Sequence, residues 1–358
     1  MTGSAFSQRR YKIKSDFFKD LSKITLDYYL CTAKRKWKGH ILLAGDGSTL
    51  NLPASKQVRN DFGVYRKNPN TSDRCISSVF LIHDVLNNYI LDAQIDDISI
   101  GEKSLLNKGL EACKAIKGLY LLDRNFGFLS CIKQLSSNQQ HFCIRLSTNV
   151  TGFAKEVMRD HRTDFICEWK PSRKELRTCL EHQLDQMPIK VRVTKVVLNT
   201  GETELLVTSL LNQDQYSSVE IAELYHLRWG VEECFKNLKP KMKIEQFGCK
   251  KTQGILQEFY AHIFMINMIG LIARPAQEII DKQSAKTKLT YKYNWKNAYR
   301  FFRSQVVAFL SKLTPDNMIL EKLILQISRS KVPIKPGRSF IRDPRLKIRS
   351  HAITCYYL

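Results

Sequence analysis

Apolar and polar positions change rhythm several times along the chain. Between residues 4 and 38, Phe6, Ile13, Phe17, Phe18, Leu21 and Ile24 recur at helical spacing among Arg9, Arg10, Lys12, Lys14, Lys19 and Lys23, which predicts basic helix. From His40 the pattern becomes that of strands. Ile41-Leu42-Leu43-Ala44 is a continuous apolar run, broken by Gly45-Asp46-Gly47 and followed by alternation from Ser48 to Leu52. Residues 54–74 are polar and loop-like around Asn68-Pro69-Asn70, and the strands 75–83 and 89–94 flank a hairpin turn at Asn87-Asn88. A helix is expected over 102–116, a short buried strand over Leu119-Tyr120-Leu121-Leu122 stopping at Asp123, a helix over 127–135 and a strand over 141–146. Strand material recurs at 165–169, 189–198 and, after the turn Asn199-Thr200-Gly201, 205–209. The last third is helical, and the basic, Pro-containing stretch 331–349 has the composition of a tail that orders only on a partner.

The order from residue 40 to 146 is three meandering strands, helix, strand, helix, strand. That is the order of a ribonuclease-H-like half-sheet, in which a carboxylate on the first strand lies beside one at the end of the fourth. The expected class is therefore α/β, a mixed sheet flanked by helices and interrupted by a β-rich insertion. The expected divisions are a basic helical segment (1–38), a catalytic core in two parts (39–146 and 217–275), the insertion between them (147–216) and a basic helical C-terminal region with its tail (276–358).

Charge narrows the choice of partner. The 57 Lys and Arg against 34 Asp and Glu leave a net charge of +23, which favours a polyanion: nucleic acid first, an anionic membrane surface second. Arg9, Arg10, Lys12 and Lys14 have no apolar stretch behind them, so no signal peptide is expected. The longest uncharged apolar run, 259–272, is short for a bilayer and reads as a buried helix. The ten cysteines are scattered with no C-x-x-C pair, the pattern of reduced core thiols in a cytoplasmic protein rather than a disulfide framework or zinc ribbon.

Chemistry gathers on one predicted helix. Ser217-Ser218-Val219-Glu220 is a capping box that should start it, and Pro240 should end it near Lys239. At about 100° per residue, Leu224, Leu227, Val231, Cys234, Phe235 and Leu238 form its core stripe, while Tyr225, Arg228, Glu232 and Lys239 share an adjacent flank. Arg and Lys suit phosphate oxygens, and a Glu between two cations suits a metal that touches phosphate. The spacing of Arg228 and Glu232 equally fits an ordinary exposed i, i+4 ion pair. Two further carboxylates, Asp46 and Asp123, end apolar strands that a half-sheet would bring together.

Tyr225-(2)-Arg228-(3)-Glu232-(6)-Lys239 resembles the Y-R-E-K signature of the IS-four family of bacterial insertion-sequence transposases, which are DDE enzymes. Gly101-Glu102-Lys103, Leu122-Asp123-Arg124-Asn125-Phe126 and the opening Ser4-Ala5-Phe6-Ser7-Gln8-Arg9 are similar to family segments as well, so the likeness covers roughly residues 4–270. It implies a ribonuclease-H-like fold with an all-β insertion, a catalytic and metal-binding triad of Asp46, Asp123 and Glu232, and phosphate contacts from Tyr225, Arg228 and Lys239. The chain begins close to the family's pre-catalytic segment, so a short or missing upstream region is expected. Phosphodiester cleavage needs an activated water and charge neutralisation at two oxygens. Two Mg²⁺ ions (or Mn²⁺ in their place) about 3.5–4 Å apart meet both needs from carboxylate ligands. The implied activity is cutting of element ends and joining of the freed 3′-hydroxyls to target DNA, through a hairpin end in the best-studied relatives. The protein would work as a homodimer on terminal repeats and target duplex, in the cytoplasm on nucleoid DNA.

Further DNA contacts are expected from Arg124 and from the basic sets Lys236, Lys241, Lys243, Lys250, Lys251 and Lys292, Lys296, Arg300, Arg303, with solvated charged faces as the plain alternative. Trp169 is a candidate for stacking on an unpaired base or else a core tryptophan, Trp229 reads as a packing residue, and His83-Asp84 as a structural pair rather than a second site. Two rival functions remain: a truncated end-binding repressor that does not cut, and a stand-alone nuclease of the same fold that does not join strands.

Overall fold

A computed structural model describes residues 3–32, 34–65, 73–198, 200–285, 287–311 and 317–334. The Asn68-Pro69-Asn70 loop, Asn199 of the expected turn and the tail beyond Ile334 lie outside them. The chain divides into two compact units, residues 1–32, 51–61 and 236–358 forming one and residues 33–50 and 62–235 the other.

The second unit is built on one sheet of eight strands: β1 (Leu42–Leu52), β2 (Cys75–Asp84), β3 (Tyr89–Asp97), β4 (Leu119–Leu122), β5 (His141–Leu146), β6 (Asp164–Trp169), β7 (Ile189–Val197) and β8 (Thr203–Thr208). Their order is β3-β2-β1-β4-β5-β8-β7-β6. The β2–β3 pair is antiparallel, β1–β4 and β4–β5 are parallel, and β8, β7 and β6 continue antiparallel from β5. All four residues of β4 are wholly buried, as a central parallel strand covered on both faces requires. The expected mixed sheet and its first five strands are thus present.

Two details differ from the sequence expectation. Gly45 and Gly47 do not break β1, which runs through them; a Cβ at Gly45 would lie 2.8 Å from Leu122 and 3.0 Å from Phe80, so this glycine marks close approach rather than a turn. The insertion is not all β. It carries helices Gly152–Arg159 and Arg173–Glu181, the second opened by a Ser172–Glu175 capping box. Its strand β8 pairs with β5, so the insertion extends the same sheet. The core beneath includes Leu105, Leu106, Phe126, Ile132, Phe142 and Trp169.

At the β2–β3 hairpin Asn88 takes a positive φ of 52°, while the buried Asp84 carboxylate accepts from the backbone N–H groups of Leu86 and Asn87 at 3.0 and 3.1 Å and from Asn87 Nδ2 at 2.8 Å. His83 is buried and its Nδ1 has no hydrogen-bond partner among the described residues. The pair is structural, as its strand pattern suggested.

The first unit is helical. Its longest helix, Thr252–Ser284, is long and apolar enough to cross a membrane, yet 61% of its most apolar window is buried inside the fold. Ile269, Ile272, Ala273 and Ala276 of this helix pack with Ala298 and Phe302 of helix Trp295–Ser311 and with Leu323 and Ile327 of helix Asn317–Arg329. The expected N-terminal helix is two helices, Gly3–Arg10 and Phe17–Cys31. Side chains of the long helix claim the carbonyls between them: Gln253 Nε2 donates to Tyr11 O and Ile13 O, and Gln257 Nε2 to Arg10 O and Ile13 O. Arg10 O accepts from Ile13 N as well, at 3.0 Å, so the chain turns three residues back here while the long helix ties the turn down.

Candidate active site

Strand pairing brings two of the three expected carboxylates together. Gly45 pairs with Leu122 in the last register step of β1 and β4, so Asp46 and Asp123 follow side by side in the same direction. Asp46 Oδ1 accepts from the backbone N–H of Gly47 at 3.0 Å. Asp123 caps the short turn Arg124–Phe126, its Oδ1 accepting from Asn125 N at 2.8 Å.

The third carboxylate comes from a helical segment that is not the single helix expected. Helix Ser218–His226 begins with the expected Ser217–Glu220 capping box but ends at His226, and a second helix, Trp229–Lys236, follows. Between them the N–H groups of Leu227, Arg228, Gly230 and Val231 bond three residues back, at 3.0–3.2 Å. This tighter winding re-aims the side chains. Leu227, expected in the core stripe, is 38% exposed, and Trp229, expected to pack, is 46% exposed. A Cβ at Gly230 would meet Val85 Cβ and Cγ1 at 2.8 Å, so glycine lets this bend sit against the β2–β3 hairpin. Pro240 does not stop the helix either: a wider turn, Asn237–Lys241, carries the chain through it, with Met242 N bonding five residues back to Asn237 O at 2.9 Å.

Across the bend, Arg228 Nη2 holds Glu232 Oε1 at 3.0 Å, with side chains 10% and 27% exposed. The pair is partly buried, unlike the exposed i, i+4 pair that spacing alone allowed. Burial opposes the charge of Arg228, but Tyr225, Glu232 and Asp46 outweigh it and raise its pKa. Tyr225 is buried at 4% exposure, with the guanidinium 5.8 Å from its ring and 5.4 Å from that of Trp229. Burial also pushes the Tyr225 hydroxyl well above its ordinary pKa.

The field of the site converges on Asp46. Burial, the Asp123 carboxylate and then Glu232 push its pKa up to about 7, against the opposing pull of Arg228 and the Gly47 N–H. Among the described residues, no three His, Cys, Asp or Glu side chains already stand as a ready ligand group. The donor chemistry nonetheless fits a hard divalent cation: carboxylate oxygens that repel one another, with the Arg228 guanidinium nearby.

The remaining expected residues fall elsewhere. Arg124 is exposed beside Asp123. Lys236 and Lys239 belong to the first unit, Lys236 exposed and Lys239 partly buried, with burial lowering its pKa against the pull of Glu245. Lys243, Lys250, Lys251, Lys292, Lys296, Arg300 and Arg303 are exposed and Lys241 is half-buried over Trp295. Trp169 is not a base-stacking residue. It is fully buried and stacked on Phe153, ring centroids 4.2 Å apart, because its strand faces the helix Gly152–Arg159 that the sequence reading did not include.

The mixed sheet thus brings together an acidic residue on β1 and another just past the neighbouring parallel strand β4, with a third acidic residue in the electrostatic field of the first. The sequence profile described as "Transposase DDE domain" matches residues 37–268, and the chain belongs to that family. A stretch of 99 residues is 29% identical to the putative transposase InsL for insertion sequence element IS186A of Escherichia coli (strain K12). It is identical to the same extent to the transposase for insertion sequence element IS421 of Escherichia coli. Each alignment covers 28% of this chain and only 27% of the relative. Among solved structures, a piggyBac transposase synaptic complex with hairpin DNA is 13% identical, with a TM-score of 0.43 over 88% of this chain and 63% of that one.

Proposed function

We propose that this protein is a DNA transposase of a bacterial insertion sequence, of the IS-four type, that cuts the ends of its element and joins them to target DNA. The observation that carries the reading is the side-by-side emergence of Asp46 and Asp123 from β1 and β4, with Glu232 in the same electrostatic field. In this reading Asp46, Asp123 and Glu232 hold two divalent cations, Mg²⁺ by preference. When bound, the ions activate the attacking oxygen and neutralise the leaving one.

The chain's own residues do the rest. The β1–β4 pairing fixes the spacing of the two aspartates on rigid strands rather than loops. Arg228 orients Glu232 and presents its remaining N–H groups to a phosphate oxygen, with Tyr225 packed beneath it. In the first step water attacks phosphorus, the P–O3′ bond breaks, and a 3′-hydroxyl and a 5′-phosphate result. In the second, the 3′-hydroxyl is the nucleophile on a target phosphodiester, so one P–O bond forms as another breaks. The exposed lysines and arginines, including Arg124, Lys236, Lys292, Lys296, Arg300 and Arg303, with Lys239, supply sequence-independent backbone contacts. Two ends handled together call for a homodimer on DNA, working in the cytoplasm on the nucleoid.

The test is a joining assay: the full chain with Mg²⁺, a labelled duplex taken from DNA flanking its own gene, and a target plasmid. Labelled end covalently joined to plasmid supports transposition. Cleaved ends that never join would leave a nuclease, and specific binding without cleavage a repressor.

A further inference from the structure

We propose that a cleft in the first unit binds one unpaired nucleotide of the DNA substrate, stacking its base on Tyr299 and holding its phosphate with Lys243 and Arg303. This deepens the transposase reading and rests on it for DNA as the ligand. The residues of that unit include none of the three carboxylates.

Three stretches of the first unit line a cleft of about 390 Å³: helix Thr252–Ser284, helix Trp295–Ser311 and the chain just past the wide turn Asn237–Lys241. Tyr299 and Arg303 are four residues apart on the second helix, so they share a face. The half-buried Tyr299 ring is stacked on Trp295, with centroids 5.8 Å and planes 15° apart, and Lys241 Nζ lies 5.6 Å from the Trp295 ring. A ring already clamped in this way loses little freedom when a base stacks on it. Met242 and Met265 line the same cleft with polarizable sulfur, which packs well against aromatic rings.

The rim is cationic. Lys243 and Arg303 are both exposed, and neither forms an ion pair with a described residue. Glu258, one turn before His262 on the long helix, is already held by Arg10 Nη1 and by Gly248 N, each at 2.9 Å. Lys243 stands in the left-handed region with a φ of 58°. Hydrogen bonds hold it there: Met242 N to Asn237 O at 2.9 Å, Ile244 N to Leu238 O at 3.1 Å and Gln246 N to Lys243 O at 2.9 Å. Such a conformation is costly for lysine, and the surrounding bonds fix where its charge stands. Between wall and rim lie two neutral polar groups. His262 has its ring fixed by Nδ1 donating to Glu258 O at 2.7 Å, and the Gln246 carboxamide offers both a donor and an acceptor, as a base edge requires.

Size and chemistry select the ligand together. A volume of about 390 Å³ lies low in the range of small-ligand clefts, with room for one nucleotide and none for a duplex. Contacts to a duplex backbone would use the two cations alone. An aromatic and sulfur wall beneath them suits a base that has left its stack.

The experiment uses the full chain in EDTA and a short labelled duplex in three forms: fully paired, with one unpaired adenosine, and with a base-less sugar at that position. Anisotropy titrations compare wild type, Tyr299→Ala and Tyr299→Phe, with thermal unfolding of each. We expect wild type to prefer the unpaired adenosine over both other duplexes by about tenfold. Tyr299→Phe should keep that preference, and Tyr299→Ala should lose it while keeping its affinity for paired duplex. A 5-iodouracil in place of the unpaired adenine should crosslink under ultraviolet light to Tyr299, Met242 or Met265 of wild type, a readout that needs no variant to fold. Equal affinity of wild type for the three duplexes would overturn the proposal, as would a crosslink found only outside the cleft. So would dAMP alone binding as tightly as the bulged duplex, which would make the cleft a site for free nucleotide. Wild type that binds none of the duplexes would defeat the transposase reading as well.

Discussion

His83 ties the stability of the β2–β3 hairpin to pH, and the effect can be sized. The side chain is 3% exposed, its Nδ1 is without a partner, and burial drives its pKa down from 6.5 to about 3. In the unfolded chain the same imidazole takes up a proton near its ordinary value. Between those limits the unfolded state binds the proton and the folded state does not, so the folded state loses stability as pH falls. The contribution is intact above about 6.5 and declines down to about 3. Moving from pH 7 to pH 4.5 should therefore cost roughly 2.5 kcal/mol through this one group. His83→Leu keeps the volume and removes the titration. Urea unfolding followed by tryptophan fluorescence at both pH values should show the variant losing about 2.5 kcal/mol less than wild type. Parallel losses in the two proteins would refute the reasoning, because other acid-sensitive groups are common to both.

Three further outcomes are expected. Trp169→Ala should destabilise by about 3–5 kcal/mol, since a wholly buried ring stacked on Phe153 is removed, while DNA affinity by fluorescence anisotropy below the melting range stays unchanged. Weaker DNA binding at unchanged stability would restore its base-stacking role. Arg192→Met should cost about 3–5 kcal/mol in urea unfolding, because it strips the partly buried Asp164 carboxylate of bonds at 2.6 and 2.7 Å and the carbonyl of buried Tyr216 of one at 2.6 Å; an unchanged midpoint would count against it. Replacing Lys296 or Arg300 by Gln should weaken DNA binding alike for all sequences and lower the slope of log affinity against log salt by about 1 for each phosphate no longer neutralised. An unaltered slope would mean that these exposed cations face only solvent.

Particular residues explain what the sequence revealed and what it hid. The apolar runs at 41–44 and 119–122 announced buried strands, and strand adjacency alone put Asp46 beside Asp123. The Ser217 capping box was equally legible because its partner is three residues away. The Ser172–Glu175 box is just as local, and reading it would have placed a helix in the insertion. The bend at Leu227–Arg228 was not legible. It depends on Gly230 meeting Val85, an approach between residues far apart in sequence. Pro240 misled because a wider turn absorbs its missing N–H. Gly47 read as a strand breaker, whereas its role is to leave room for Glu102. In each miss a tertiary approach overrode a sound local rule.

In the proposed mechanism Asp46, Asp123 and Glu232 form one metal-dependent cutting centre. Its most direct measurement is Mg²⁺-dependent cleavage of the duplex flanking the gene, comparing wild type with Glu232→Gln and recording DNA binding for both. Glu232 is 27% exposed and partly held by Arg228, so the amide should keep the fold and the DNA affinity. The predicted result is a specific end cut by wild type and none by the variant at equal binding. Equal cutting by both, or binding without cutting by wild type, would contradict the claim.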